Sequence, residues 1–401
     1  MSVCHYGRAG LRSMQRISII IFLFPFVSGF AQSKTDSNIV KANVILDAVY
    51  RHYSVPNTNL LRENYPFDNS YTPDYLAANP GTVKPNEYAY LWPYSGTLST
   101  AVVLYKATND GRYKELLDEK IIPGIEQYLD EKRKPAGYAS YINTAKASDR
   151  FYDDNIWLGI DFAELYKISK QKKYLDKAKR IWQFVWSGHD GKLGGGIYWC
   201  EQKKRSKNTC SNAPAAVFAL KLFQVTNDSS YFFKGKRLYE WTKENLQDSS
   251  DFLYFDNKSL NGRVDKRKYS YNSGQMLQAA VLLHVLTTDK AYLHEAENIA
   301  KSAFNYFVTH PTQESSIHFR DNNSWFNAVM LRGFAELYEA GGKNHFMPQF
   351  ASLLNHYFYS QRDDAGLFFK FSSKSQDRKW LLNQAGFAEM FAQLATVKNL
   401  D

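Results

Sequence analysis

The 401-residue chain carries 50 Lys and Arg against 40 Asp and Glu, with 22% charged and 44% hydrophobic residues. That balance describes a soluble globular protein able to bury one large core or two ordinary ones. With no nucleic-acid motif present, the net charge of +10 does not read as nucleic-acid binding. Aromatic residues are in excess, at 28 Tyr, 27 Phe and 8 Trp. Most of them are expected to fill a helical core, and those in the motif loops below suit the stacking of sugar faces.

The first segment reads as a leader. Arg8, Arg12 and Arg16 precede an apolar run from Ile17 to Val27 and then Ser28-Gly29-Phe30-Ala31. This is the pattern of a secretory signal cut after Ala31, and the run is shorter than the ~20 residues of a spanning helix. Met14 is an alternative start, and no lipobox-like Cys follows. Residues 32–401 are then expected as one exported domain, periplasmic or secreted. Losing the leader removes three Arg and no acid, leaving 47 basic and 40 acidic residues, or +7.

Apolar residues recur at three- and four-residue spacing, as in Ala178, Ile181, Trp182 and Val185. This predicts about twelve helices, near 38–53, 94–107, 111–129, 154–168, 172–186, 212–225, 229–245, 273–287, 290–308, 325–340, 345–359 and 381–397. A degenerate repeat organises them. Leu104-Tyr105-Lys106-Ala107-Thr108-Asn109-Asp110-Gly111-Arg112-Tyr113 returns in variant form up to Tyr174, Tyr231, Tyr292 and Phe346, so its closing aromatic recurs at a nearly even interval. Each copy reads as a helix end, a polar turn, a Thr or Asp cap and an aromatic one turn into the next helix. Six helix pairs at a period near sixty form either an open solenoid or a closed (α/α)6 toroid. The unusual aromatic and polar helix starts favour the closed ring, with a site at one mouth.

Those starts are in phase. Tyr94 in Trp92-Pro93-Tyr94-Ser95-Gly96, Asp153 in Tyr152-Asp153-Asp154-Asn155, Asn212 in Ser211-Asn212-Ala213-Pro214 and Asn272 in Tyr271-Asn272-Ser273-Gly274 follow one another by one helix-pair period each. Trp325 opens a later copy. All should therefore meet at one end of the ring, as a sugar cleft requires. Taken singly each has a plainer role. One Asp commonly caps a helix, though two cannot cap the same one. Trp92 and Trp325 could be core, and Gly194-Gly195-Gly196 could be a flexible loop or could bring backbone near a ligand, with Trp199 as a stacking platform. The basic runs Lys203–Lys207 and Lys266–Lys268 read as solvated loops rather than as attractors of an acidic glycan. Cys200 and Cys210 are the only pair left after the leader and are expected to form a disulfide.

Adjacent Cα atoms lie ~3.8 Å apart, so Asp153 and Asp154 can place their carboxyls at the ~5–5.5 Å of a retaining glycosidase. One would stay ionised as nucleophile, favoured by helix N-terminal amides. The other would keep its proton through burial and its neighbour's charge. The residues alone leave open which is which.

The chain resembles glycoside hydrolase family 76, the endo-α-1,6-mannanases, over roughly residues 40–395. The resemblance rests on Trp92–Gly96, the paired-Asp segment, Gly194–Trp199, Lys207-Asn208 through Pro214 and the Tyr271–Gly274 turn, in that order. It implies an (α/α)6 barrel that hydrolyses α-1,6-mannosyl linkages with retention, with Asp153 as nucleophile and Asp154 as acid/base. It further implies Asp256 as a carboxylate contacting substrate hydroxyls, and Ser273 as a shorter residue where the family often has a larger polar one. The expected sugar contacts are Trp92, Tyr94, Asn155, Trp199, Asn212, Asp256, Tyr271, Asn272 and Trp325. No cofactor or metal is implied. The expected partner is α-mannan polysaccharide or oligosaccharide, met by a monomer with no membrane span in the mature chain. The alternatives are another (α/α)6 glycosidase, a retaining transglycosylase, and an exported glycan-binding protein that cleaves nothing.

Overall fold

The computed structural model describes residues 36–68, 86–309, 318–320, 323–342, 346–369 and 378–397. The expected leader, residues 1–31, lies outside them. From Asp36 onward the chain forms one compact unit.

The helices are α1 (Ser37–Tyr53), α2 (Leu91–Thr108), α3 (Gly111–Leu116), α4 (Ile122–Glu126), α5 (Tyr152–Ser169), α6 (Lys172–Trp186) and α7 (Thr209–Thr226). They continue as α8 (Ser229–Leu246), α9 (Ser270–Thr287), α10 (Lys290–Phe307), α11 (Ser324–Glu339), α12 (Met347–Ser360) and α13 (Leu381–Thr396). The helix expected over 111–129 is broken, with a π turn at Leu117–Ile121 joining α3 to α4. Pro123, in the first turn of α4, supplies the reason: it has no N–H to give and its ring crowds the carbonyl one turn back.

Six helices form an inner ring in which α2, α5, α7, α9, α11 and α13 pack in succession and α13 closes onto α2. The fold is therefore an (α/α)6 barrel. Each inner helix has an outer partner, and α1 covers α13, so the first helix of the described chain completes the last pair. Burial follows the two roles. Inner helices are buried nearly all round; in α7 every residue from Thr209 to Leu222 is buried. Outer helices are amphipathic, and α6 buries Tyr174, Ala178, Ile181, Trp182, Phe184 and Val185 while its lysines stay outside. Glycine lets inner helices meet closely: a Cβ on Gly274 would sit 2.3 Å from the Met330 backbone.

The repeated turn has one geometry. Asn109, Lys170, Asn227 and Thr288 end their inner helices in the left-handed conformation. Asp110, Asp228 and Asp289 then cap the next helix by accepting from Arg112, Ser230 and Ala291 N–H groups, each at 2.9 Å. The Thr before them does not cap. Thr108 Oγ1 instead accepts from the Asp110 amide at 3.1 Å, and Thr226 and Thr287 repeat the contact.

A second repeated device anchors the loops that lead from outer to inner helices. In α2, α5, α7, α9 and α13 the fourth residue of the helix bonds the backbone of the preceding loop. Asn155 accepts from Tyr138 N at 2.7 Å and donates to Tyr138 O and Phe151 O, both at 2.8 Å. Asn212 accepts from Ile197 N at 2.6 Å and donates to Ile197 O at 2.9 Å and Asn208 O at 2.8 Å. Gln384 holds both backbone groups of Phe368, Ser273 accepts from Tyr254 N at 3.2 Å, and Tyr94 donates to Asn59 O at 2.6 Å.

Strands are confined to the loops. Ser206–Asn208, Phe255–Ser259 and Val264–Lys268 form an antiparallel sheet beside the start of α9. Among the described residues no helix is long and apolar enough to cross a membrane.

Candidate active site

The N-terminal ends of the inner helices meet at one mouth around a cavity of about 530 Å³. Asp153 and Asp154 enter it from the first turn of α5, Cys210 from α7, Tyr271 from α9, Trp325 and Phe326 from α11, and Trp92 from α2. Asp256 and Arg267 reach it from the three-stranded sheet, and Trp199 from the loop before α7.

One wall is aromatic. Trp325 lies edge-on to Trp92 and Trp157, with centroids at 5.5 and 5.0 Å, and Phe326 stacks on Tyr271 at 4.1 Å. Trp325 is only 1% exposed, so it serves as core and cavity lining at once. Elsewhere on the lining, Trp199 Nε1 donates to Asp153 Oδ2 at 3.0 Å, and its ring packs against Phe151 at 4.9 Å.

Burial dominates the electrostatics of the pair. It pushes Asp153 up to about 7, against hydrogen bonds from Cys210, Trp199 and the amides of the helix start. Asp154 is raised well above the usual carboxylate range by burial and by the Asp153 charge beside it. The proton therefore stays longer on Asp154, and Asp153 ionises first. Asp256, 8% exposed, is also raised by burial, while Asn257 donates to its Oδ2 at 3.0 Å and Arg267 lies 3.6 Å away. Among the described residues no group of three or more His, Cys, Asp or Glu could hold a metal ion.

Of the residues singled out from the sequence, Asp153, Asp154, Trp92, Trp199, Asp256, Tyr271 and Trp325 line the cavity. Asn272 is fully buried outside the lining, beside Asp256. Tyr94, Asn155 and Asn212 do not line it. Each is fully buried and spent on the backbone clamps, so their common phase reflects anchoring of the loops. Ser273 is likewise a clamp residue rather than a shortened sugar contact.

The expected disulfide is absent: Cys200 and Cys210 are both free and buried. Cys200 Sγ points to Gln202 at 4.0 Å, whereas Cys210 lines the cavity with Asp153 and Tyr271.

The glycine loop has positive φ at Gly194, Gly195 and Gly196 and packs on Trp241, where a Cβ on Gly196 would come within 2.9 Å of the indole. It does not border the cavity. The basic runs are mostly paired. Lys207 is fully buried and donates to Asp190 Oδ1 at 2.6 Å and to the Lys192 and Gly195 carbonyls, fixing that loop. Arg267 pairs with Asp265 and Lys268 with Asp248 and Asp251.

Arg267, Tyr269, Trp157 and Cys210 line the cavity without having been expected there: the sequence reads Cys210 as half of a disulfide and Arg267 as part of a solvated loop. Trp157 lies one turn beyond Asp153 on the same helix. Cys210 follows Asp153 by nearly one helix-pair period, so the same phase marks it.

The sequence profile of glycosyl hydrolase family 76 matches residues 64–336. The chain belongs to this family. Its fold superposes on the family 76 mannosidase Bt3792 of Bacteroides thetaiotaomicron with a TM-score of 0.80 and 29% identity, covering 90% of this chain and 98% of that one. A family 76 glycoside hydrolase from a bovine strain of the same species gives 0.80 and 31%, covering 90% and 78%. An inactive variant of a Salegentibacter α-1,6-mannanase, with two adjacent aspartates replaced and an α-1,6-linked mannose tetramer bound, shares the fold at a TM-score of 0.72 and 22% identity, covering 90% and 99%. A putative mannan endo-1,6-α-mannosidase of Schizosaccharomyces pombe is 22% identical over 236 residues, 55% of this chain. The match spans about half of that relative's length, 51%. Family membership places the chain among the glycosyl hydrolases of family 76.

Proposed function

We propose that this family 76 protein is an endo-acting, retaining α-1,6-mannanase. The observation that carries the reading is the pair Asp153–Asp154 at the mouth of the barrel, with Trp199 holding the first carboxylate. The asymmetry of the pair supports a division of roles. Asp153, which ionises first, attacks the anomeric carbon as the glycosidic C–O bond breaks, and Asp154 gives its proton to the departing oxygen. In the second step Asp154 takes a proton from water, whose oxygen displaces Asp153 from the anomeric carbon. Two inversions return the original configuration.

The aromatic wall offers apolar faces to sugar rings, while Asp256 and Asn257 offer groups for hydroxyls. The inactive variant of the Salegentibacter α-1,6-mannanase, with two adjacent aspartates replaced, fits a catalytic pair of this kind. Incubation with linear α-1,6-mannan and with an α-1,4-glucan tests the proposal. Internal shortening of the mannan alone is expected, with the α-anomer released first as followed by NMR; shortening of neither polymer overturns the assignment. Export is proposed on the leader pattern, and the N-terminus of the protein recovered outside the cytoplasm should then be Gln32.

A further inference from the structure

A second cavity of about 530 Å³ lies beside the catalytic one, within the long connection from α4 to α5. A single residue separates the two. Ser140 lines the catalytic cavity, while its neighbours Ala139 and Tyr141 line the second. The Tyr141 ring packs against that of Tyr90, itself on the catalytic lining, with centroids 5.0 Å apart. We propose that this second cavity is a distal subsite, holding a sugar unit of the same neutral glycan chain whose scissile bond lies at Asp153 and Asp154.

The inference deepens the mannanase reading and rests on it. The connection is far longer than most that merely join two helices, and it is tied down. Tyr141 N donates to Ser148 Oγ at 3.0 Å, Asn143 N to Gln127 O at 2.7 Å and Ala139 N to Tyr128 O at 2.8 Å. Asn155 clamps Tyr138 at its base. The fold therefore shapes the cavity in advance, at a volume within the ~300–1,000 Å³ of small-molecule sites. Its charges are mostly spent: Asp130 pairs with Arg133 and Glu131 with Arg180. The exposed Lys132 is the remaining charge on the lining, and one solvated ammonium selects no anion. Leu129, Tyr141, Ile142 and Ala145 supply apolar surface. Asn143 commits its side-chain nitrogen to Leu129 O at 3.1 Å, and Ser148 Oγ accepts from Tyr141. The amide oxygen of the first and the hydroxyl proton of the second are left for sugar hydroxyls. An aromatic and aliphatic surface with a few uncharged donors and acceptors suits a sugar ring. A long chain would be gripped at two places, the second contact being made at high effective concentration.

Binding is read without turnover, by hydrogen–deuterium exchange in the full chain carrying Asp153→Asn with Asp154→Asn. The probes are the α-1,6-linked mannose disaccharide and hexasaccharide. Both should slow exchange around Trp199, and the hexasaccharide alone should slow it over residues 141–148. Ala147→Trp, which fills the cavity with an indole, should weaken hexasaccharide binding roughly 10-fold by calorimetry, as for one or two lost hydrogen bonds and a ring contact. Exchange over 141–148 that the hexasaccharide leaves unchanged overturns the inference. So does protection of that segment by the disaccharide, which would make the cavity independent of the catalytic one. The mannan assay stands apart. A wild type that shortens mannan while 141–148 stays unprotected keeps the functional reading and loses the subsite. One that shortens no mannan while the hexasaccharide protects 141–148 loses the functional reading and keeps the cavity as a sugar site.

Discussion

Asn155 and Asn212, nearly one helix-pair period apart and each the fourth residue of an inner helix, make the same three hydrogen bonds to the loop before them. Each accepts from one loop amide, donates to that residue's carbonyl, and donates to the carbonyl one turn back. The clamp seats the loop that carries Tyr138 in one case and the loop leading to Trp199 in the other. Truncation would strand the N–H and the carbonyl of the clamped loop residue, both buried.

Asn155→Ala and Asn212→Ala should therefore each cost about 2–4 kcal/mol of unfolding free energy. Chemical denaturation measures this, and a loss below about 0.5 kcal/mol would place both residues outside the scaffold.

Trp199→Phe keeps an aromatic ring against Phe151 and removes the N–H on Asp153 Oδ2. A hydrogen bond to a charged group contributes about 1.5–3 kcal/mol, so kcat on α-1,6-mannan should fall roughly 10- to 100-fold. KM should change little. An unchanged kcat would mean that the indole does not hold the reacting carboxylate.

The rate should follow a bell-shaped pH profile whose acid limb lies near neutrality. Both carboxyls are raised by burial, and Asp154 further by the charge of Asp153. Activity falls toward acid as Asp153 takes up a proton and toward alkali as Asp154 loses one. An acid limb near pH ~4, the range of an unperturbed carboxylate, would contradict the burial argument.

The same shift has a consequence for stability. A carboxyl raised on folding holds its proton more tightly in the native state, so its contribution is favourable at low pH and is lost as pH rises from the unfolded to the folded value. Replacing both residues, as Asp153→Asn with Asp154→Asn, should raise Tm at neutral pH by a few degrees. The gain should shrink in mild acid, where the native pair is already neutral. A double variant less stable at neutral pH would reverse the sign.

Free thiols at Cys200 and Cys210 predict two alkylations per mature chain when the protein is unfolded without reductant, counted by mass spectrometry. No alkylation would mean that the pair is bridged after all.

Much of this architecture was legible because a closed ring of helix pairs writes its period into the chain. The Thr-Asn-Asp stretch at 108–110 and its copies mark a turn in which each residue has a fixed job: helix end, left-handed residue, cap. The sequence places the starts of α2, α5, α7 and α9 two or three positions late. These helices carry no side-chain cap, so the usual signal is missing. The π turn before Pro123 was hidden because the apolar spacing of Leu117, Ile121 and Ile125 continues through it.

Within the site, phase located the mouth but could not separate residues facing the cavity from those facing the loops. Asp154 and Asn155 are neighbours, yet a helix turns by about 100° between them. One therefore reaches the cavity while the other grips Tyr138. Asp256 and Arg267 arrive on a hairpin outside the repeat, so periodicity says nothing about either.

The pairing of α1 with α13 also constrains how the molecule is made. The helix that begins at Ser37 must wait for the one that begins at Leu381 before its apolar face is covered. Until Leu381 and the helix it opens have been made, the growing polypeptide holds an unfinished circle, open on one flank. Premature termination would then yield material destined for proteolysis or clumping, never a shortened catalyst.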